Sequence, residues 1–134
     1  LLLMSVIIWH NPKCGTSRNT LAMIRATGVE PVIVEYLQTP PDAATLSRVA
    51  AAVGGAAALL RTKGTPAEEL GLAGADDATI LAAMAVHPIL INRPVVITPK
   101  GTVLARPSEK VFAILDATLP ADFTKEDGEV VHRA

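Results

Sequence analysis

VIIWHNPKCGTSRNTLAMIRATGVEPVIVEY, from Val6 to Tyr36, is the stretch that decides the fold. It opens on the β-branched and aromatic run Val6-Ile7-Ile8-Trp9, which stops at His10-Asn11-Pro12, where Asn and Pro favour a turn. A polar helix-start pattern follows from Gly15, with Leu21 and Ile24 on one helical face. Gly28 is placed to end that helix as a left-handed cap, and Pro31 introduces the next β-rich run, Val32-Ile33-Val34-Glu35-Tyr36. Strand, helix and strand in this order predict a β-α-β unit, whose crossover helix lets the two strands lie parallel.

Toward the C-terminus, Val95-Val96-Ile97-Thr98, the turn Pro99-Lys100-Gly101-Thr102 and Val103-Leu104-Ala105 predict an antiparallel hairpin. Ser108 is expected to cap a last helix whose core-facing set is Val111, Phe112, Ile114 and Leu115. The polar run from Asp122 to Ala134 is expected to be a loosely held tail. Between the two ends the pattern is helical. Thr39 is the expected N-cap of a helix with Pro40 and Pro41 in its first turn, apolar Leu46, Val49, Ala50 and Val53 at helical spacing, and Gly54-Gly55 at its close. Shorter helical pieces are expected over 56–61, 67–70 and 77–86, punctuated by Pro66 and Pro88. The chain is thus expected to be a single α/β domain over residues 1–134: β-α-β, a helical insertion at about 40–90, then β-β-α, a mixed sheet with helices on its faces. Thioredoxin-like and glutaredoxin-like folds have this plan.

With 134 residues, 50% of them hydrophobic and 19% charged, the chain can bury a core and is not a disordered segment. Its net charge of -1 gives no basic field to draw it onto nucleic acid or an anionic membrane, so any anion site must be local. A single cysteine excludes an internal disulfide and a four-cysteine zinc site; no metal is expected, and a reducing compartment, the cytoplasm, fits best. The opening run from Leu1 to Trp9 is apolar, but it has no basic leader and is far shorter than the roughly 20 residues that span a bilayer. It is expected to be a strand with a ragged front, with Met4 a candidate initiator and Leu1 to Leu3 an addition before it.

That one cysteine, Cys14, stands between a strand end and a helix start. The first turn of a helix leaves backbone N–H groups unpaired and carries the positive end of the dipole, so a thiolate there is stabilised and an oxyanion is attracted. Its neighbours Asn11, Lys13, Gly15, Thr16, Ser17 and Arg18 are polar or small, an unsuitable lining for an inert core thiol. Two mechanistic templates fail on spacing. Ser17 occupies the second position of a Cys-x-x-Cys redox pair, and Thr20 stands where a cysteine-phosphatase loop needs arginine. The chemistry must therefore use an external second thiol or none. His10 either adds positive charge beside the thiolate when protonated or is a turn histidine bonded to backbone.

The segment His10 to Thr20, HNPKCGTSRNT, resembles the arsenate reductases coupled to glutathione and glutaredoxin, the ArsC family. Similar blocks recur in the same order at Leu59-Leu60-Arg61, at HPILINRPVV from His87 to Val96, at Arg106-Pro107-Ser108-Glu109 and from Phe123 to Glu129, so the resemblance covers nearly the whole chain. It implies a thioredoxin-like fold, Cys14 as nucleophile and His10 as the neighbour that favours its thiolate. It also implies that Arg61, Arg93 and Arg106 clamp the oxyanion, which suits guanidinium forks that engage several charged oxygens at once. Taken singly, Arg61 can end a helix, Arg93 can be a loop charge and Arg106 can pair with Glu109. Pro94 resembles the cis-proline that faces the active cysteine in thioredoxin-like folds, and Ser17 lies near the site.

The implied activity is reduction of arsenate to arsenite in the cytoplasm, with glutathione as co-substrate, glutaredoxin as the protein partner and no bound cofactor. Two other functions fit the same scaffold. One is a redox regulator that binds RNA polymerase, although such relatives usually carry Cys-x-x-Cys and need no arginine clamp. The other is a glutathione mixed-disulfide oxidoreductase without arsenate activity.

Overall fold

Three strands and their register fix the geometry that matters. In the computed structural model, which describes residues 5–133, β1 (Ile7–Trp9) pairs in parallel with β2 (Val32–Val34), Ile7 opposite Val32 and Trp9 opposite Val34. The expectation for Leu1 to Met4 lies outside the described residues. The helix between these strands, α1 (Gly15–Ala26), ends at Thr27, and Gly28 follows at φ +92°, the left-handed cap expected of it. β2 is shorter than its apolar run. His10 N–H donates to Val34 O at 2.8 Å, and the partner strand then turns at Asn11-Pro12, so the ladder between β1 and β2 ends at Val34.

In the inserted segment, α2 (Ala43–Ala52), α3 (Ala56–Leu59) and α4 (Asp77–Val86) follow one another before a 3₁₀ turn, Pro88–Leu90. Asp42, not Thr39, caps α2, its carboxylate accepting the Thr45 N–H at 2.8 Å. Thr39 and Pro40 each precede a proline, which pushes them toward extended backbone and delays the helix. Leu46, Val49 and Ala50 are buried as the spacing predicts, while Gly54 and Gly55, both at positive φ, break the chain between α2 and α3. Residues 67–70 form turns, not a helix. Leu70 N–H reaches Pro66 O and Gly71 N–H reaches Glu68 O, but Gly71 at φ +67° ends the run before a second turn can build.

The chain returns to the sheet as β3 (Val95–Thr98), antiparallel to β1 with Trp9 opposite Val95, and folds back as β4 (Gly101–Leu104), with Val95 opposite Leu104 and Thr98 opposite Gly101. The sheet order is β2-β1-β3-β4. Ile8, Val96 and Val103 lie in one row across three strands and point to one face, where Ile24 of α1 and Val111, Ile114 and Leu115 pack with them. Ile8, Ile24 and Val96 are fully shielded, and burial of each side chain contributes about 1.5 to 3 kcal/mol.

Two expectations near the C-terminus are corrected. The segment Ser108–Ile114 is a 3₁₀ helix flanked by Pro107, and Ser108 does not cap it: its hydroxyl donates to Thr16 O of α1 at 3.3 Å. Nor is the polar end a loose tail. β5 (Phe123–Thr124) pairs with β6 (Val130–Val131), and Lys125, only 8% exposed, sets its ammonium between Glu109 and Glu129. Arg18 of α1 holds Glu126 through two hydrogen bonds of 2.8 Å, and Asn19 Oδ1 accepts the Glu126 N–H. A buried lysine needs carboxylates on both sides, and Glu109 is supplied from a distant segment, which the polarity of the run does not show.

The contacts divide the chain into two compact units, one made of its two ends, up to Glu35 and from Arg93 onward, and the other of Tyr36–Asn92. Residues 40–90 fall within the second unit. Among the described residues no helix is long and apolar enough to cross a membrane.

Candidate active site

The register of the sheet carries three segments to one edge. β1 ends at Trp9, directly opposite Val95 at the start of β3, and Val95 is opposite Leu104 at the end of β4. One step further, Ala105 N–H donates to Pro94 O at 2.9 Å, so Arg93 and Arg106 lie side by side at the open end of the hairpin. Arg106 Nη1 donates to Arg93 O at 3.0 Å. The Arg93–Pro94 peptide is cis, and Arg106–Pro107 is cis as well.

Cys14 meets this pair from the other side of the turn. It is the N-cap of α1, with extended backbone (φ -100°, ψ 122°), and is 9% exposed. Its own N–H is taken by Asn11 O at 3.0 Å and its carbonyl accepts the Arg18 N–H, which leaves the Thr16 and Ser17 N–H groups for the sulfur. Arg106 Nη1 stands 3.8 Å from Sγ, and the Arg93 guanidinium also bonds it. Burial pushes the Cys14 thiol pKa up, but the Ser17 N–H, the Arg93 guanidinium and the Thr16 N–H together outweigh it, and the thiol lies below the ordinary cysteine range.

His10 and Ser17 form a second layer under the loop. The hydroxyl of Ser17, wholly buried, shares a 2.6 Å hydrogen bond with His10 Nδ1 and accepts the Asn11 N–H at 3.0 Å. Burial is the main influence that lowers the His10 pKa; Arg25 and Arg18 act the same way, and Glu35 opposes them. The surroundings therefore favour the neutral imidazole, and His10 reaches Cys14 through Ser17. Both readings of His10 from sequence named a direct partner, charge or backbone, while the structure supplies a side-chain hydroxyl.

Of the predicted site residues, the structure brings Cys14, His10, Ser17, Arg93, Pro94 and Arg106 into one unit. Arg106 does not pair with Glu109, which is bound to Lys125. Arg61 belongs to the second unit, where its N–H donates to Leu90 O at 2.8 Å beside the bridge between Leu60 and Ile91, and its side chain is half-buried. His87, at the end of α4, is exposed, and His132 is exposed beside Asp122. The role of the Thr16 N–H was not singled out in the sequence, although its signal, the position two after an N-cap cysteine, was present. Among the described residues no group of three or more His, Cys, Asp or Glu side chains is placed to hold a metal ion.

A four-stranded mixed sheet entered by β-α-β and left by a β-hairpin and a 3₁₀ helix, with a cysteine at the cap of its first helix, defines a thioredoxin-like protein. Residues 9–114 match the ArsC family, and the chain belongs to that family. It is 56% identical over 131 residues to an arsenate reductase of Rhizobium meliloti (strain 1021), covering 96% of this chain and 94% of that protein. It is 52% identical over 130 residues to an arsenate reductase of Escherichia coli (strain K12), covering 95% of this chain and 92% of that one. Among solved structures, an arsenate reductase from Vibrio cholerae superposes with a TM-score of 0.79 at 40% identity, over 85% of this chain and all of that one.

Proposed function

We propose that this protein is an arsenate reductase that uses Cys14 as its nucleophile, glutathione as its second thiol and glutaredoxin as its reductant. The observation that carries the reading is the surroundings of the Cys14 sulfur: two helix-start N–H groups and two guanidinium groups converge on a single thiol with a lowered pKa. Such a site holds an oxyanion and a thiolate side by side.

In the proposed cycle the Cys14 thiolate attacks arsenic, and an arsenate oxygen leaves as water after taking a proton. Glutathione thiolate then attacks the Cys14 sulfur. The sulfur–arsenic bond breaks with its electron pair on arsenic, which passes from pentavalent to trivalent and departs as arsenite, leaving a disulfide between Cys14 and glutathione. Glutaredoxin exchanges its own thiol into that disulfide and restores Cys14. Arg93 and Arg106 stabilise charge on the oxyanion, and His10 keeps Ser17 and the loop in place. The absence of a second cysteine within the chain is what calls for the external thiol.

The test is conversion of arsenate to arsenite with glutathione, with and without glutaredoxin, comparing the wild type with Cys14→Ser. Turnover that depends on both thiol sources and is abolished in Cys14→Ser is the expected result. Equal turnover without them overturns the external-thiol step, and thiol exchange without arsenite release favours a mixed-disulfide oxidoreductase.

A further inference from the structure

The first turn of α1 carries a cation that the proposed chemistry does not use. Arg18 projects toward the loop before Cys14: its Nη1 donates to Pro12 O at 2.8 Å, while Nε and Nη2 grip the two oxygens of Glu126. The ion pair lies across Gly15, the residue after Cys14. A Cβ built there would stand 3.6 Å from Arg18 Nη2 and 3.7 Å from Glu126 Oε1. Glu126 is itself fixed, by Asn19 Oδ1 on its N–H and by neighbouring Lys125, which is buried between Glu109 and Glu129. The hairpin of β5 and β6 thus delivers one carboxylate beside Gly15, the residue after Cys14, and clamps it there.

We infer that Arg18 and Glu126 are a positioning pair that sets the charge beside Cys14, Arg18 supplying a cation at the helix start and Glu126 holding and partly neutralising it. The pair is side by side with the sulfur's own residue and its charge is felt there: Arg18 interacts electrostatically with Cys14 and with His10. A guanidinium left without its carboxylate would draw the thiol further toward thiolate and attract anions at large. A carboxylate left without its guanidinium would oppose both. The other titratable or charged groups near Cys14 are Arg93 and Arg106 at the end of the β3–β4 hairpin, His10 just after β1 and adjacent Lys13. Arg18 is held by two hydrogen bonds to a carboxylate of the C-terminal hairpin, so its charge can be tuned from there.

This inference deepens the reading of Cys14 as a thiolate nucleophile and rests on it. Because Cys14 is the only cysteine, the rate of its alkylation by iodoacetamide, an uncharged reagent, reports on that thiol alone and needs no arsenate. Failure of arsenate reduction and failure of the present inference are therefore separately visible. The rate is measured against pH for the wild type, Glu126→Gln, Arg18→Gln and the double variant, below the midpoint of the wild-type profile, with the melting temperature of each as a check on folding. Glu126→Gln is expected to react about twofold faster or more, and Arg18→Gln about twofold slower or more. The double variant should return to within about 1.5-fold of wild type. A role confined to holding the fold moves both single variants in the same direction. That result, an unchanged rate in either single variant, or a double variant as slow as Arg18→Gln overturns the inference. Should Arg18→Gln melt below the assay temperature, Arg18→Lys, which keeps the charge, must match the wild type within about 1.5-fold or the inference fails.

Discussion

Replacing Ser17 with alanine separates the hydroxyl from the backbone N–H, two groups that serve different ends. The hydroxyl is wholly buried and joins His10 Nδ1 at 2.6 Å to the Asn11 N–H at 3.0 Å. Without it, the His10 ring nitrogen has lost its partner in a site only 7% exposed, while the half-buried Asn11 N–H retains some access to water. An unsatisfied buried polar group costs about 1 to 3 kcal/mol, so we expect a loss of about 2 kcal/mol for the pair. In a chain of this length that lowers the melting temperature by about 6 to 10 °C. The Ser17 N–H survives the change, however, and it is this N–H, not the hydroxyl, that bonds the Cys14 sulfur. Ser17→Ala should therefore melt early yet keep most of the downward displacement of the thiol. The assay pairs thermal denaturation with the pH profile of Cys14 alkylation, using Arg93→Ala as the variant that removes a direct partner of the sulfur. If Ser17→Ala displaces the alkylation profile further than Arg93→Ala while melting like the wild type, the assignment of roles is refuted.

Ile24→Ala empties a wholly buried position among Ile8, Val96 and Val111 and should cost about 3 kcal/mol in urea denaturation, whereas an Ile24→Val loss of equal size would argue against a packed cluster. Arg106→Lys keeps the charge but loses the planar guanidinium, whose Nη1 contacts both Arg93 O and the Cys14 sulfur and whose fork can engage an oxyanion; we expect arsenate turnover to fall by about 100-fold, and full activity in this variant would remove Arg106 from the clamp. His10 is held below its ordinary pKa, so below about pH 6.5 the unfolded chain binds a proton that the folded one refuses. Stability is complete above that pH and declines as the pH falls, and His10→Asn should flatten the dependence of melting temperature on pH between about 7 and 5.5; equal slopes in the two proteins would contradict it. Gly28→Ala meets no atom within 4 Å, so its cost of about 1 kcal/mol should come from the positive φ alone, and Gly28→Asn should recover part of it in the same melts.

What could be read from the sequence was governed by how local each determinant is. The β-α-β unit, the hairpin after Pro94 and the helix-capping position of Cys14 depend on residues within a few positions of one another, and all three appear in the structure. The convergence of Arg93 and Arg106 was legible only through the resemblance, since nothing near either arginine reveals that the strand register sets them beside each other. The sequence points to Thr39 as a cap because two prolines in succession fit a first helical turn, while their restriction on the preceding residue, the stronger constraint here, leaves Asp42 as the side chain that caps α2. The C-terminal segment is the clearest loss. Its polarity suggested solvent, but Lys125, Glu126 and Glu129 are polar because they pair with one another and with Glu109 and Arg18, the last 108 residues away. Composition reports that a segment is charged and not which charges it meets. A run that carries both signs, and whose partners lie across the fold, can therefore be as ordered as a strand, and here it holds a carboxylate against Arg18 in the helix that Cys14 caps.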